Sequence, residues 1–219
     1  MRHLLLQAQA WWDSQRFDQP MWHVTEWRDQ KVRHIQLHVA KALGKVVAAL
    51  GEGARAASGM DSTTRVRDEV LPDVAIYRSQ LINAFGATVS AQGRQALGAT
   101  VSAQGEALLD WDVPTAALDP CSARAGAGAT EPLFHVVLLL GRASAQLAAY
   151  IEPREHGVVS PAAHIRTAIQ DLHTSAEALA AYFAVDLVRA HRARLEALLG
   201  APLPASVVAG AEDVDVPSA

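Results

Sequence analysis

Hydrophobic residues recur at helical spacing along much of the chain. One apolar stripe lies within residues 22–50 and a second within residues 66–85. The stripes consist of Val32, Ile35, Val39, Leu43, Val46 and Leu50, and of Val66, Val70, Val74, Tyr77, Leu81 and Phe85. Because each set falls on one side of a 3.6-residue helix, the pattern predicts two amphipathic helices. The first is expected to end at the glycines Gly51 and Gly53, and Ser62 or Thr63 is expected to cap the second.

Pro72 lies inside the second stripe. A proline in a helix removes one backbone hydrogen bond and clashes with the preceding turn. The helix either kinks there or has its first turn at residues 71–73. We favour the kink, because the apolar stripe continues through Pro72 without a break.

The second half of the chain predicts three more helices. One covers about residues 131–151 and is followed by a loop over residues 153–160. The next begins with Ser160 as its cap and Pro161 at its first position, and the last covers residues 186–199 and ends at Gly200. The fold class expected is therefore all-α.

The two halves resemble each other. Residues 34–41 align with residues 135–142 at an offset of 101, and residues 73–81 align with residues 171–179 at an offset of 98. A helical hairpin cannot bury both of its apolar stripes alone. We therefore expect two related helical hairpins that pack into one helical bundle.

This pattern divides the chain into five parts: an N-terminal Trp-rich arm (1–20), a first helical half (21–109), a linker (110–130), a second helical half (131–200) and a disordered tail (201–219). Residues 86–93 are repeated without change as residues 98–105. Two copies are too few to stack as a solenoid, so we interpret the repeat as a tandem duplication.

Composition narrows the classes of function. The formal net charge of −4 argues against a general nucleic-acid partner. The one cysteine, Cys121, excludes an internal disulfide framework and a zinc cage of cysteines. We find neither a signal peptide nor an apolar run of transmembrane length, which predicts a cytoplasmic protein without membrane association.

Four basic residues form a stripe on the first helix: His34, His38, Lys41 and Lys45, spaced by four, three and four. These spacings place them on one helix face, away from the apolar stripe. One interpretation is a solvated or interface-facing basic edge. The other is a substrate-binding site in which the cations hold phosphate groups directly.

Glu69 and Asp73 are the acidic pair on the second helix. They are expected either to form salt bridges, for instance with the basic stripe, or to bind a metal ion. In the second case His34 and His38 could complete the site, since two imidazoles four residues apart can chelate one ion. On the last helix, Arg189, Arg192, Arg194 and His191 are expected to form a solvated face balanced by Glu196.

Residues 68–77, read Asp-Glu-Val-Leu-Pro-Asp-Val-Ala-Ile-Tyr, and the closing Asn83-Ala84-Phe85-Gly86 resemble the MazG-like proteins of the all-α nucleoside triphosphate pyrophosphohydrolase superfamily. The resemblance covers roughly residues 22–90 and, more faintly, 131–199. It implies a helical bundle in which acidic residues of neighbouring helices hold Mg²⁺ against a triphosphate. On this resemblance Glu69 and Asp73 are the candidate Mg²⁺ ligands.

The acidic residues of this sequence depart from the pattern of the superfamily. The first helix has no carboxylate between Asp29 and Glu52, and Glu69 and Asp73 are four residues apart where the superfamily has three. One acidic pair cannot assemble a two-metal phosphate site. The expected function is therefore that of a divergent MazG-like protein that binds a nucleotide or another phosphorylated small molecule. Whether catalysis survives stays open; if it does, a pyrophosphohydrolase-like reaction is expected.

Two other functions stay open. The chain could be a non-catalytic regulatory module that forms a homodimer through the Trp-rich arm and exposed apolar faces. It could also be a four-helix protein with a metal site of histidines and carboxylates, similar to the DinB-like hydrolases.

Overall fold

The computed structural model describes residues 6, 8–13, 25–52, 62–85 and 131–208, and within these ranges it contains helices and no strand. The predicted all-α class is thus confirmed for the described part of the chain. The duplicated stretch at 86–105 and the linker at 110–130 lie outside the described residues.

Within the described ranges, six helices follow a short helical stretch at residues 8–13, which we call the N-terminal segment. Helix α2 consists of three consecutive parts: an α-helical turn, a π-helical turn and a longer α-helix. The bounds are α1 Thr25–Glu52; α2 Ser62–Arg65, Val66–Val70 and Leu71–Phe85; α3 Glu131–Glu155; α4 Ala163–Phe183; α5 Leu187–Leu199; and α6 Ala205–Val208.

Both predicted apolar stripes face the core. All six residues of the α2 stripe are buried, and on α1 Val32, Ile35, Val39 and Val46 are fully buried while Leu43 and Leu50 are partly so. Ala42 and Ala49 are buried beside them and let neighbouring helices approach α1 closely. The helical periodicity therefore identified the core of the first half correctly.

Pro72 is accommodated by the π-helical turn that precedes it. Residues Val66–Val70 form that turn, and the backbone N–H of Leu71 donates to the carbonyl oxygen of Val66, five residues earlier. A π turn takes in one extra residue, which relieves the clash between a proline ring and the preceding turn. Helix α2 thus continues through Pro72, and the irregularity lies just upstream of it.

The four long helices contact one another in a closed order: α1 against α3, α3 against α4, α4 against α2, and α2 against α1. Ion pairs fix the directions. Arg154 near the end of α3 bonds Asp29 near the start of α1 at 2.7 Å, so these two helices are antiparallel. Helix α5 packs on α2.

The loop between α3 and α4 differs from the prediction. Helix α3 extends past Pro153 to Glu155, and Ser160 does not cap α4. The hydroxyl of Ser160 instead donates to the carbonyl oxygen of Ala149 at 3.3 Å, which ties the loop back to α3. The tail also differs, because Leu203 is buried and helix α6 follows it.

Helix α5 begins and ends as predicted. The carboxylate of Asp186 accepts hydrogen bonds from the backbone N–H groups of Val188 and Arg189, which caps the helix. Gly200 ends it in the left-handed conformation with φ of 71°. Ala184, at the corner between α4 and α5, also has a left-handed backbone, with φ of 51°.

A buried polar network attaches the N-terminal segment to the rest of the fold. The carboxylate of Asp13 accepts hydrogen bonds from the amides of Gln9 (3.0 Å) and Gln80 (2.8 Å) and from the ammonium of Lys31 (3.1 Å). Burial raises the pKa of Asp13 and lowers the pKa of Lys31 to about 8, although each charge stabilises the other. The N-terminal segment, α1 and α2 therefore meet at one carboxylate.

The network continues to α5 through His191, which is fully buried. Its Nε2 lies 3.1 Å from Oε1 of Gln9, whose amide nitrogen is already donated to Asp13. Gln9 thus offers His191 an acceptor and favours the neutral imidazole with its proton on Nε2. Burial, and then the nearby cation of Arg78, lower the pKa of His191 to about 3.

Helix α3 is long and apolar enough to cross a membrane by length and composition. Its most apolar window of 18 residues has a mean hydropathy of 1.4 and is 39% buried. Core helices of globular proteins pass the same test, and the buried face of α3 belongs to the core. Localisation and the absence of membrane association therefore stay predictions.

His191 should make the protein less stable in acid. Below its ordinary pKa of about 6.5, the unfolded chain binds a proton that the folded chain excludes down to about pH 3. The free energy of unfolding should therefore decrease as the pH is lowered. From this group alone, the decrease should be about 2 kcal/mol between neutral pH and about pH 5. Urea unfolding at the two pH values measures the loss.

The variant His191→Gln keeps an amide donor for Gln9. Between neutral pH and about pH 5, its free energy of unfolding should decrease by about 2 kcal/mol less than that of wild type. His135→Gln, at an exposed position of α3, serves as the matched control and should change nothing. An equal acid sensitivity in wild type and His191→Gln would contradict the assignment.

Candidate functional site

A pocket of about 370 Å³ lies between α1, α2 and α5, with one side closed by the N-terminal segment. Its lining combines basic, acidic, aromatic and aliphatic side chains. They are Trp12; His34, His38, Lys41, Ala42 and Lys45 of α1; Val70, Asp73, Ile76, Tyr77 and Gln80 of α2; and Arg194 and Leu198 of α5.

All four residues of the predicted basic stripe line this pocket. Their spacing keeps them on one face of α1, and the packing of α1 on α2 turns that face toward α5. Lys41 is exposed at the pocket and, within the described residues, forms no ion pair. The structure thus brings together His34, His38, Lys41 and Lys45, while their role in substrate binding stays a prediction.

The two predicted acids are close to this stripe, and each faces a basic side chain. Glu69 accepts from the ammonium of Lys45 at 2.6 Å, and this contact lowers the pKa of Glu69. Asp73 accepts from Arg194 of α5 through both oxygens, at 2.8 and 3.3 Å. Of the two expectations for the acids, the structure shows the salt bridges.

The donor set does not fit a resident Mg²⁺ ion. A magnesium site needs free oxygen ligands, whereas Glu69 and Asp73 each hold a cation of the protein. The described part of the chain also has no cluster of three or more His, Cys, Asp or Glu side chains placed to hold a metal. The mixed site of His34, His38, Glu69 and Asp73 is not assembled within that part either.

The rings of His34 and His38 lie next to each other, and the surroundings of both rings favour the neutral form. The ring centroids of His34 and His38 are 4.4 Å apart, and Nδ1 of His38 lies 3.2 Å from the hydroxyl of Tyr77. Burial lowers the pKa of His34, with further effects of Lys31 and Lys41. Burial lowers the pKa of His38 too, and there the neighbours His34, Lys41 and Lys45 outnumber the opposing Asp73.

Tyr77 is a hydrogen-bonding group here, not a nucleophile. Burial and the negative charge of Asp73 raise the pKa of Tyr77 well above its ordinary value, against the opposite effect of Arg194. Its hydroxyl therefore stays protonated at neutral pH and can donate to His38 or accept from it.

Apolar side chains complete the lining of the pocket. Ala42, Val70, Ile76 and Leu198 contribute aliphatic surface, and Trp12 contributes an aromatic ring system. A lining that combines cations with apolar and aromatic groups suits a ligand that carries both an anionic group and an apolar or aromatic group.

Of the lining residues that are absent from the site predicted by sequence, four carry a polar or aromatic group: Trp12, Tyr77, Gln80 and Arg194. Arg194 was expected on a solvated face, and it bonds Asp73 instead, 121 positions away. His191 of the same expected face is buried, and only Arg192 pairs with Glu196, at 3.0 Å. Asp73 and Tyr77 are four residues apart, which places both on one face of α2. This spacing could have identified Tyr77 as a residue of the site.

Comparison of the chain with known protein families, with curated proteins and with solved structures finds no match. The MazG-like assignment therefore stays a prediction.

The pair of Asp73 and Arg194 should contribute more than an exposed helix pair, because both side chains are largely shielded from water, with exposures of 16% and 28%. A double-mutant cycle with Asp73→Asn and Arg194→Met should give a coupling energy of about 1 kcal/mol in urea unfolding. The same cycle on Arg192 and Glu196, neighbours on α5 with exposures of 47% and 28%, should give about 0.3–0.5 kcal/mol. Equal couplings would show that the inter-helix pair is no stronger than a surface pair.

Proposed function

We propose that the pocket binds a phosphorylated small molecule, such as a nucleotide or a smaller phosphate ester. The observation that carries this proposal is a local charge imbalance. Three cations, Lys41, Lys45 and Arg194, line the pocket. They are balanced by two carboxylates: Asp73, which lines the pocket and pairs with Arg194, and Glu69, which pairs with Lys45 and is not a lining residue. Lys41, the cation without an ion pair in the described chain, is exposed.

An anion would meet several donors at once in this pocket. The ammonium of Lys41 offers up to three N–H groups, and the imidazole nitrogens of His34 and His38 lie on the same helix face. Phosphate oxygens form strong, charge-assisted hydrogen bonds with such donors. The cavity volume also falls within the range of small-ligand pockets, about 300–1,000 Å³.

We further propose that α1 with α2 and α3 with α4 are two related hairpins of one bundle. In support, the acid of the second half that aligns with Asp73 is Asp171, and it is buried and paired with Arg142, the residue that aligns with Lys41. In the first half, the aligned acid Asp73 pairs with Arg194 of α5 and not with Lys41. Lys41 therefore remains available to the pocket.

Lys41→Ala should weaken binding of phenyl phosphate about tenfold, since a charge-assisted hydrogen bond contributes about 1.5–3 kcal/mol and 1.4 kcal/mol is a factor of ten. Titration calorimetry measures the affinity. Arg33→Ala is the control, because it removes one positive charge from α1 at an exposed position that pairs with Glu155 and does not line the pocket. Equal affinities of wild type and Lys41→Ala would refute the proposal.

A second candidate function is self-association. Large hydrophobic side chains are exposed on α1 and α3, which pack on each other: Leu37 (56%), Val47 (49%), Phe134 (59%) and Leu138 (71%). The Trp-rich arm is the weaker candidate for this contact, because Trp11 and Trp12 pack partly against the core of their own chain.

If the chain forms a homodimer through this face, Leu138→Lys should shift it to a monomer in light scattering coupled to size-exclusion chromatography. Thermal stability of the variant should change little, because the side chain is exposed. Val159→Lys, at a solvent-exposed loop position, is the control and should keep the oligomeric state. A dimer that persists in Leu138→Lys would place the interface elsewhere.

A further inference from the structure

We propose that the pocket binds a phosphate monoester as its dianion, and that the His34–His38 pair takes up a proton as the dianion binds. This inference rests on the proposed function and specifies its ligand. It stands on the adjacency of the two rings, on the hydrogen bond of His38 to Tyr77, and on the charges around them.

The first step concerns the net charge of the pocket before a ligand binds. With both histidines neutral, the three cations Lys41, Lys45 and Arg194 and the two carboxylates Asp73 and Glu69 leave one net positive charge. A monoanion neutralises that charge without any proton. A dianion leaves one negative charge in a partly buried place, and one proton on the histidine pair restores neutrality.

The second step is which groups face the histidines. On α1 they are Lys31, Lys41 and Lys45, of which Lys31 is paired with Asp13 of the N-terminal segment. From α2 they are Asp73 and Tyr77, and α5 contributes Arg194 through its bond to Asp73. In the described chain the cations thus outnumber the acids around the pair, which keeps both rings neutral until an anion arrives.

The third step is the hydrogen bond of His38. When the ring is neutral, the hydroxyl of Tyr77 can donate to Nδ1; when the ring is protonated, Nδ1–H can donate to the same oxygen. The contact survives in both protonation states, and Nε2 is left for the ligand in each. His38 can therefore change charge without losing its position, because Tyr77 adapts its role.

The test uses two probes of nearly equal shape. Phenyl phosphate is mainly a dianion at about pH 7, because a phosphate monoester has a second pKa of about 6. Phenyl sulfate is a monoanion at every pH used. Calorimetry in two cationic buffers of different ionisation enthalpy gives the number of protons taken up per ligand bound.

We expect at least about half a proton per site for phenyl phosphate and less than about a tenth for phenyl sulfate. The double variant His34→Gln/His38→Gln keeps polar donors and should lose most of the proton uptake while it still binds phenyl phosphate. Proton NMR of the ring C–H signals should show the pKa of at least one of the two histidines rising when phenyl phosphate is added.

Three results overturn the inference, and they differ in what they leave standing. If phenyl phosphate binds without proton uptake, or if the double variant takes up as many protons as wild type, the histidine mechanism is wrong and the proposed function remains. If neither probe binds in the pocket, the proposed function fails together with the inference.

Discussion

Much of this architecture depends on the hydrogen bonds and the ion pair formed by the buried carboxylate of Asp13. This carboxylate joins the N-terminal segment to α1 through Lys31 and to α2 through Gln80, and Gln9 extends the contact to His191 of α5. A buried carboxylate is costly unless charge and hydrogen bonds compensate it, so these elements must assemble together. Gln80 also lines the pocket, and Trp12 is the neighbour of Asp13, so the same network positions one wall of the site.

The sequence predicted what local periodicity can encode. The apolar stripes identified the cores of α1 and α2, and the basic spacing placed His34 and Lys41 on one face. It could not predict that Arg194 reaches Asp73 or that His191 is buried, because these contacts join segments more than a hundred residues apart. A spacing rule describes neighbours on one helix and carries no information about which helix packs against it.

Asp73 and Asp171, which align in the sequence, take their cations from different helices. In the second half, Asp171 is paired with Arg142 of the neighbouring helix α3, and both charges are satisfied. In the first half, α5 supplies Arg194 to the matching acid, which leaves Lys41 facing the cavity. Lys41 thus stays available to the pocket because the cation that pairs with Asp73 comes from α5.

The left-handed corner at Ala184 has a consequence for how α5 reaches the pocket. A left-handed backbone costs an alanine about 1–2 kcal/mol that a glycine would not lose. A glycine at this corner would in turn allow the chain many more directions before folding. The alanine therefore costs some strain in the folded state, but it narrows the conformations open to the unfolded chain at the corner that leads into α5.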